Sequence, residues 1–140
     1  MSAWSQLEAE KAFRRASRGR RRAARLAALR RGARLCGLAV FDETRRSGPR
    51  FHRGVREIPL DAIKGTTEPN RAAQFDADFR PAKHTRHRWQ SIWLALHRGA
   101  TLPPISLVQF GDVYAIRDGH HRVSVAKALG APSIHAIVTA

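Results

Sequence analysis

Hydrophobic and polar positions divide the chain into segments of distinct period. From about Thr85 to Arg98 the apolar residues Trp89, Ile92, Trp93 and Leu96 recur at i, i+3, i+4 and i+7, which predicts an amphipathic helix ended by Gly99 and Pro103-Pro104. Ile105–Phe110 and Val113–Ile116 are strand-like runs separated by Gly111-Asp112, so a hairpin is predicted. A turn at Asp118-Gly119 leads into a second helix over His120–Leu129, with Val123, Ala126 and Leu129 on one face and Gly130 and Pro132 beyond its end. Ile134–Thr139 is a short last strand. Upstream, Ile58-Pro-Leu-Asp-Ala-Ile63 alternates enough to be a first strand with proline at its edge. Lys64–Lys83 reads as a long connection, in which Phe75 and Phe79, four apart, suggest a short helical turn. The order predicts an α/β (α+β) domain, a small mixed sheet with packed helices.

The first forty residues follow another rule. Ser5-Gln-Leu-Glu8 has the form of a capping box, and Ala, Arg and Leu then dominate through Leu29, all good helix formers. Leu7, Leu26, Leu29 and Ala33 offer a thin apolar stripe, and Gly19 and Gly32 weaken the helix. This gives a basic helical or disordered arm over 1–41, a linker over 42–57 and the α/β domain over 58–140.

Charge sharpens that division. The 140 residues hold 26 Lys+Arg against 11 Asp+Glu, a formal net charge of +15. Such a chain seeks polyanions. No acid lies between Lys11 and Phe41, whereas Arg14, Arg15, Arg18, Arg20, Arg21, Arg22, Arg25, Arg30 and Arg31 do. Three readings of the arm stay open: a solvated surface, sequence-tolerant binding to nucleic acid, or contact with an anionic membrane. No run nears the roughly 18 apolar residues of a membrane span. Leu35–Phe41 is a short apolar run after basic residues, but Asp42-Glu43 interrupts it and no small-residue cleavage site follows, so a secretory signal is not expected. Cytoplasmic residence is the expectation. The single cysteine, Cys36, excludes an internal disulfide.

The chemistry concentrates where a strand meets a helix. After Val113–Asp118, Gly119 would turn the chain and let its backbone approach a phosphate, and the first helical amides have no intrahelical acceptor. With the helix dipole these form an anion site. Asp118, Gly119, His120, His121 and Arg122 are the candidate phosphate-binding residues. Cations in a first helical turn oppose the dipole, a local rule broken that often marks function. A plain Asp118 cap is the alternative. His120 and His121 with His84 or His87 would make an awkward metal site, so no metal is expected. Lys83, His84, Arg86, His87 and Arg88 suggest a basic patch near the turn, and Trp89 and Trp93 are core.

From Ile58 onward the chain resembles the ParB/sulfiredoxin superfamily, in particular the ParB N-terminal-like (ParB-like nuclease) domain. The resemblance is carried by Ile58-Pro-Leu-Asp-Ala-Ile63, the helix with Ser91-Ile92 and Arg98-Gly99, the strand starting at Pro104-Ile105, and Gly119-His-His-Arg122. His121 and Arg122 fall on the His and Arg of the sulfiredoxin motif Gly-Cys-His-Arg. His120 stands where that family has its reactive cysteine, so sulfinic-acid reduction is not expected. ParB proteins carry Gly-Glu-Arg-Arg at this turn, and a complete partition protein with a DNA-reading helix-turn-helix domain is not expected. The resemblance implies CTP or ATP with Mg2+ as cofactor, as in nucleotide-binding and phosphate-transferring members. The candidate catalytic groups are then His121, Glu57, Asp61 and Glu68. The expectation is a nucleotide- or phosphate-binding ParB-like domain whose basic arm associates with nucleic acid. A nucleotide-dependent phosphotransferase and a purely electrostatic nucleic-acid or ribosome-associated protein are its rivals.

Overall fold

The computed structural model describes residues 3–31, 37–46 and 51–140. Cys36 and Ala33 lie outside them. Helix α1 (Ala3–Arg31) is followed by strand β1 (Ala39–Val40), β2 (His52–Pro59), β3 (Ile63–Thr66), helix α2 (Pro69–Ala72), α3 (Arg86–His97), the pair β4 (Ile105–Phe110) and β5 (Val113–Asp118), α4 (His120–Ala128) and β6 (Ser133–Thr139). The six strands form one mixed sheet in the order β1-β3-β5-β4-β6-β2. β3 runs parallel to β5, β5 antiparallel to β4, and β4 parallel to β6. The protein is therefore of the α/β class, with an additional helix at its N-terminal side.

The predicted hairpin, α3, α4 and the last strand stand where their periodicity placed them. The predicted first strand does not. Pro59 ends β2 opposite Ser133, and Leu60–Ala62 forms a 3-10 turn whose Leu60 amide donates to the Pro132 carbonyl. The chain then crosses to the other side of the sheet as β3. Ile58, Leu60 and Ile63 are all buried, so one apolar pattern serves two strands and the turn between them. β2 already begins at His52, inside the segment read as linker, and β1 pairs with β3 from within the segment read as arm.

Phe75 and Phe79 are not on a helix. The carboxylate of Asp76, itself buried, accepts from the amides of Asp78 (3.0 Å) and Arg80 (2.9 Å) and from the Arg80 guanidinium. This clasp turns the chain tightly, with Phe79 in the left-handed region (φ 63°), and drives both rings into the core.

Two apolar clusters share α4. Val123 and Ala126 join the sheet residues Ile105, Leu107, Ile116 and Val138, whereas Val125 packs with Trp89, Trp93, Leu94, Ala9 and Phe13. A helix apolar on most sides is one sandwiched between layers. Trp89 Nε1 donates to Ser124 Oγ (2.8 Å), and Ser124 donates to the Phe79 carbonyl, so these two side chains are paired between the layers.

α1 docks by a stripe other than the leucines. Ala9, Phe13 and Ser17, at i, i+4 and i+8, are buried, and the Phe13 ring meets Trp89 edge-on at 5.6 Å. Leu7, Leu26 and Leu29 are exposed. The helix is already formed at Ala3, so Ser5 lies within its first turn and is not its N-cap, and it continues through Gly19, which lies close to the Arg80 side chain. From Arg21 to Arg30 no residue of α1 is buried.

Candidate functional site

β5 delivers the chain to Gly119, the N-cap of α4, at φ 115°. Two constraints demand glycine there. The dihedral is one that residues with a Cβ rarely adopt, and a Cβ would lie 2.3 Å from Ile105 Cγ2 on β4. The space a side chain would fill therefore belongs to the protein core, and Gly119 is required by packing rather than by the approach of a phosphate.

The corner is nonetheless open. The amides of His120, His121 and Arg122 precede the first intrahelical bond, from the Val123 amide to the Gly119 carbonyl, and no side chain caps them. They border a cavity of about 280 Å³ whose lining includes Glu68, Arg71, Arg88, Arg117, Asp118 and Arg122. The guanidinium groups are of two kinds. Arg117 makes a two-pronged pair with Glu43 (3.0 and 3.3 Å), and Arg122 is braced by Asp118 Oδ2 (3.2 Å) and the Pro103 carbonyl. Arg71 and Arg88 have no carboxylate partner among the described residues, and Arg71 reaches only Gln74 Oε1 at 3.4 Å.

The two histidines are neutral parts of the wall. His120 is 5% exposed, its Nε2 is hydrogen-bonded to Thr66 Oγ1 at 2.6 Å, and its ring lies parallel to Phe75. It ties the end of β3 to the start of α4. His121 is 8% exposed, meets Phe75 edge-on, and its Nδ1 is buried without a partner among the described residues. Burial pushes His120 down to about 4, with the positive charge of Arg71 adding to it. Burial likewise pushes His121 down to about 4, followed by the charges of Arg88, Arg71 and His84. At neutral pH the positive charge of this corner thus comes from arginine and not from imidazolium.

Of the three candidate catalytic carboxylates, the structure brings only Glu68 to the cavity. Glu57 lies on the outermost strand β2, bonded to Ser133, and Asp61 is exposed in the 3-10 turn. Arg71 was missed in the sequence. Its signal is local: Pro69 at the first position of a helical turn just after β3 holds that turn against β3 and β1. Among the described residues no three His, Cys, Asp or Glu lie close enough to hold a metal ion.

The candidate nucleic-acid residues of α1 fall into separate groups. Arg14, Arg18 and Arg21 face a groove shared with the start of α3, and Arg15 borders a different cavity, between α1 and the end of α4. Arg20 is half-buried, and Arg22, Arg25 and Arg30 are exposed. Arg31 ends the helix. No described helix is long and apolar enough to cross a membrane.

No protein-family model and no curated protein sequence matches this chain. Among solved structures it is similar to sulfiredoxin from Arabidopsis thaliana, at 18% identity over 60% of this chain and 82% of that one, with a TM-score of 0.45.

Proposed function

We propose that the protein binds the phosphate groups of a nucleotide in the cavity at Gly119–Arg122, and that α1 associates with nucleic acid. One observation carries the first part. Two guanidiniums without acidic partners among the described residues, Arg71 and Arg88, border the same small cavity as the uncapped amides of α4. Like charges gathered without counter-charge cost stability unless an anion joins them, and amides at a helix start with arginines around them suit phosphate oxygens. Arg122, fixed by Asp118 and Pro103, would hold one side of that ligand and Arg71 and Arg88 the other. For a nucleotide carrying Mg2+, Glu68 is the carboxylate of the cavity without a basic partner among the described residues, and would be this chain's ligand to it. The ParB/sulfiredoxin resemblance of the sequence agrees with a nucleotide.

Isothermal titration with CTP, ATP, GTP and pyrophosphate tests this. Binding by at least one, weakened tenfold or more in Arg71→Ala and in Arg88→Ala, is expected. Absence of heat with all four overturns it. Glu68 also supports a second reading, a phosphotransferase, in which magnesium-dependent nucleotide turnover is lost in Glu68→Gln while nucleotide still binds.

The nucleic-acid part is supported by the exposed cations of α1 from Arg21 to Arg30. Deleting 1–41 is a poor test, because Phe13 and Ala9 pack against Trp89 and Trp93. Replacing Arg22, Arg25 and Arg30 by Gln leaves that contact intact. It is expected to lower affinity for a labelled oligonucleotide and the steepness of its salt dependence. Equal binding by the triple variant removes this part.

A further inference from the structure

We propose that the groove between α1 and the start of α3 is a docking site for the sugar-phosphate backbone of single-stranded nucleic acid, with Lys83 and Arg86 as its second wall. The inference deepens the reading of α1 just given and rests on it.

The groove holds about 470 Å³. One side carries Arg14, Arg18 and Arg21, the other Lys83 and Arg86, and the buried Phe13 and Ser17 lie between. Among the described residues no carboxylate lines it. None of the five cations has an ion pair or a side-chain hydrogen bond among the described residues, and all five are exposed. Packing produces this convergence. Ala9, Phe13 and Ser17 fix the rotation of α1 against α3, and Arg14, Arg18 and Arg21, at i, i+4 and i+7, then share the flank turned towards Lys83 and Arg86. Five like charges lining one groove repel one another, and an anion seated among them relieves that repulsion.

Shape and spacing select the anion. Helices in contact lie roughly 8–10 Å apart, so a groove over their seam admits one extended strand but not a duplex. A bilayer is flat and meets only the rims. The basic track also runs past the groove to Arg30, about 24 Å from Arg14 along the helix, which suits a polymer bearing one charge per residue. Four of the five groups are arginine, which binds phosphate oxygens in pairs.

Fluorescence anisotropy on the full chain tests the proposal, with a labelled mixed-sequence 20-nucleotide single strand, the same sequence as duplex, and polyglutamate as competitor. Lys83→Glu/Arg86→Glu is expected to weaken single-strand binding at least tenfold and to lower the salt slope by roughly 1.4, since each phosphate contact contributes about 0.7. Arg56→Glu/Lys64→Glu makes the same change of charge at exposed positions on β2 and β3, and is expected to weaken it far less. Circular dichroism verifies that both variants are folded, and Lys83→Gln/Arg86→Gln repeats the test without introducing acids. Equal losses in the two double variants, a preference for duplex, or equal displacement by polyglutamate overturns the groove while leaving α1 as a nucleic-acid binder. No binding of either nucleic acid by the unaltered chain overturns the α1 reading itself.

Discussion

α4 and α1 both present arginine, yet they hold it by opposite means. α4 is buried on most sides, and packing gathers Arg71, Arg88 and Arg122 from separate elements around its first turn. α1 is held along a single stripe, and its arginines follow one another in sequence. A compact site suits a compact anion with few contacts and a mild response to salt. A linear track suits a long anion with many contacts and a steep one. The sequence motif marks the first kind poorly, because the charges that matter are not adjacent in the chain.

Perturbing each region by itself sharpens that contrast. The largest effect is expected for Gly119→Val, which adds backbone strain to the collision with Ile105. It should lower unfolding free energy by about 4 kcal/mol, read by urea denaturation. Acid comes next. The unfolded histidines titrate near 6.5 and the folded ones near 4, so in that interval the unfolded chain binds more protons and stability rises with pH. Lowering the pH from 7 to 5 should cost roughly 3.7 kcal/mol for the two rings together. By NMR both imidazoles should remain neutral at pH 5, and a ring titrating near 6.5 would contradict the burial described. Phe13→Ala should cost about 3 kcal/mol by opening the α1–α3 contact, seen as faster amide exchange in α1 than in the sheet. Arg88→Ala should leave stability nearly unchanged while reducing nucleotide affinity about tenfold, with oligonucleotide binding little altered. The smallest effect is expected at Leu29→Ala, within about 0.5 kcal/mol, since that leucine is 83% exposed.

The legible parts of the fold were those with local causes. Trp89, Ile92, Trp93 and Leu96 announce α3 by spacing, and Gly111-Asp112 announces the hairpin. Where a feature depends on partners distant in sequence, the chain is silent or misleads. Ile58–Ile63 alternates like one strand because both strands and the turn between them bury their apolar residues. Phe75 and Phe79 mimic a helical pair because the Asp76 clasp brings them to the same core. For the site, the turn at Gly119 was visible, but the reason for its glycine is Ile105, fourteen residues earlier. His120 and His121 looked like cations from their types alone. Only burial against Phe75 reveals them as uncharged, and only the sheet order brings Arg71 beside them.

The nine residues of α4 are a party wall between two rooms. Val123 and Ala126 face one, Val125 faces the other, and the Ser124 hydroxyl is pinned to Trp89 on one side and to the Phe79 carbonyl on the other. Close-packed interiors yield little, so a tilt of this wall cannot be absorbed in one room alone. Val125 and Trp89 form an unbroken line of packed side chains from this wall to the seat of Phe13.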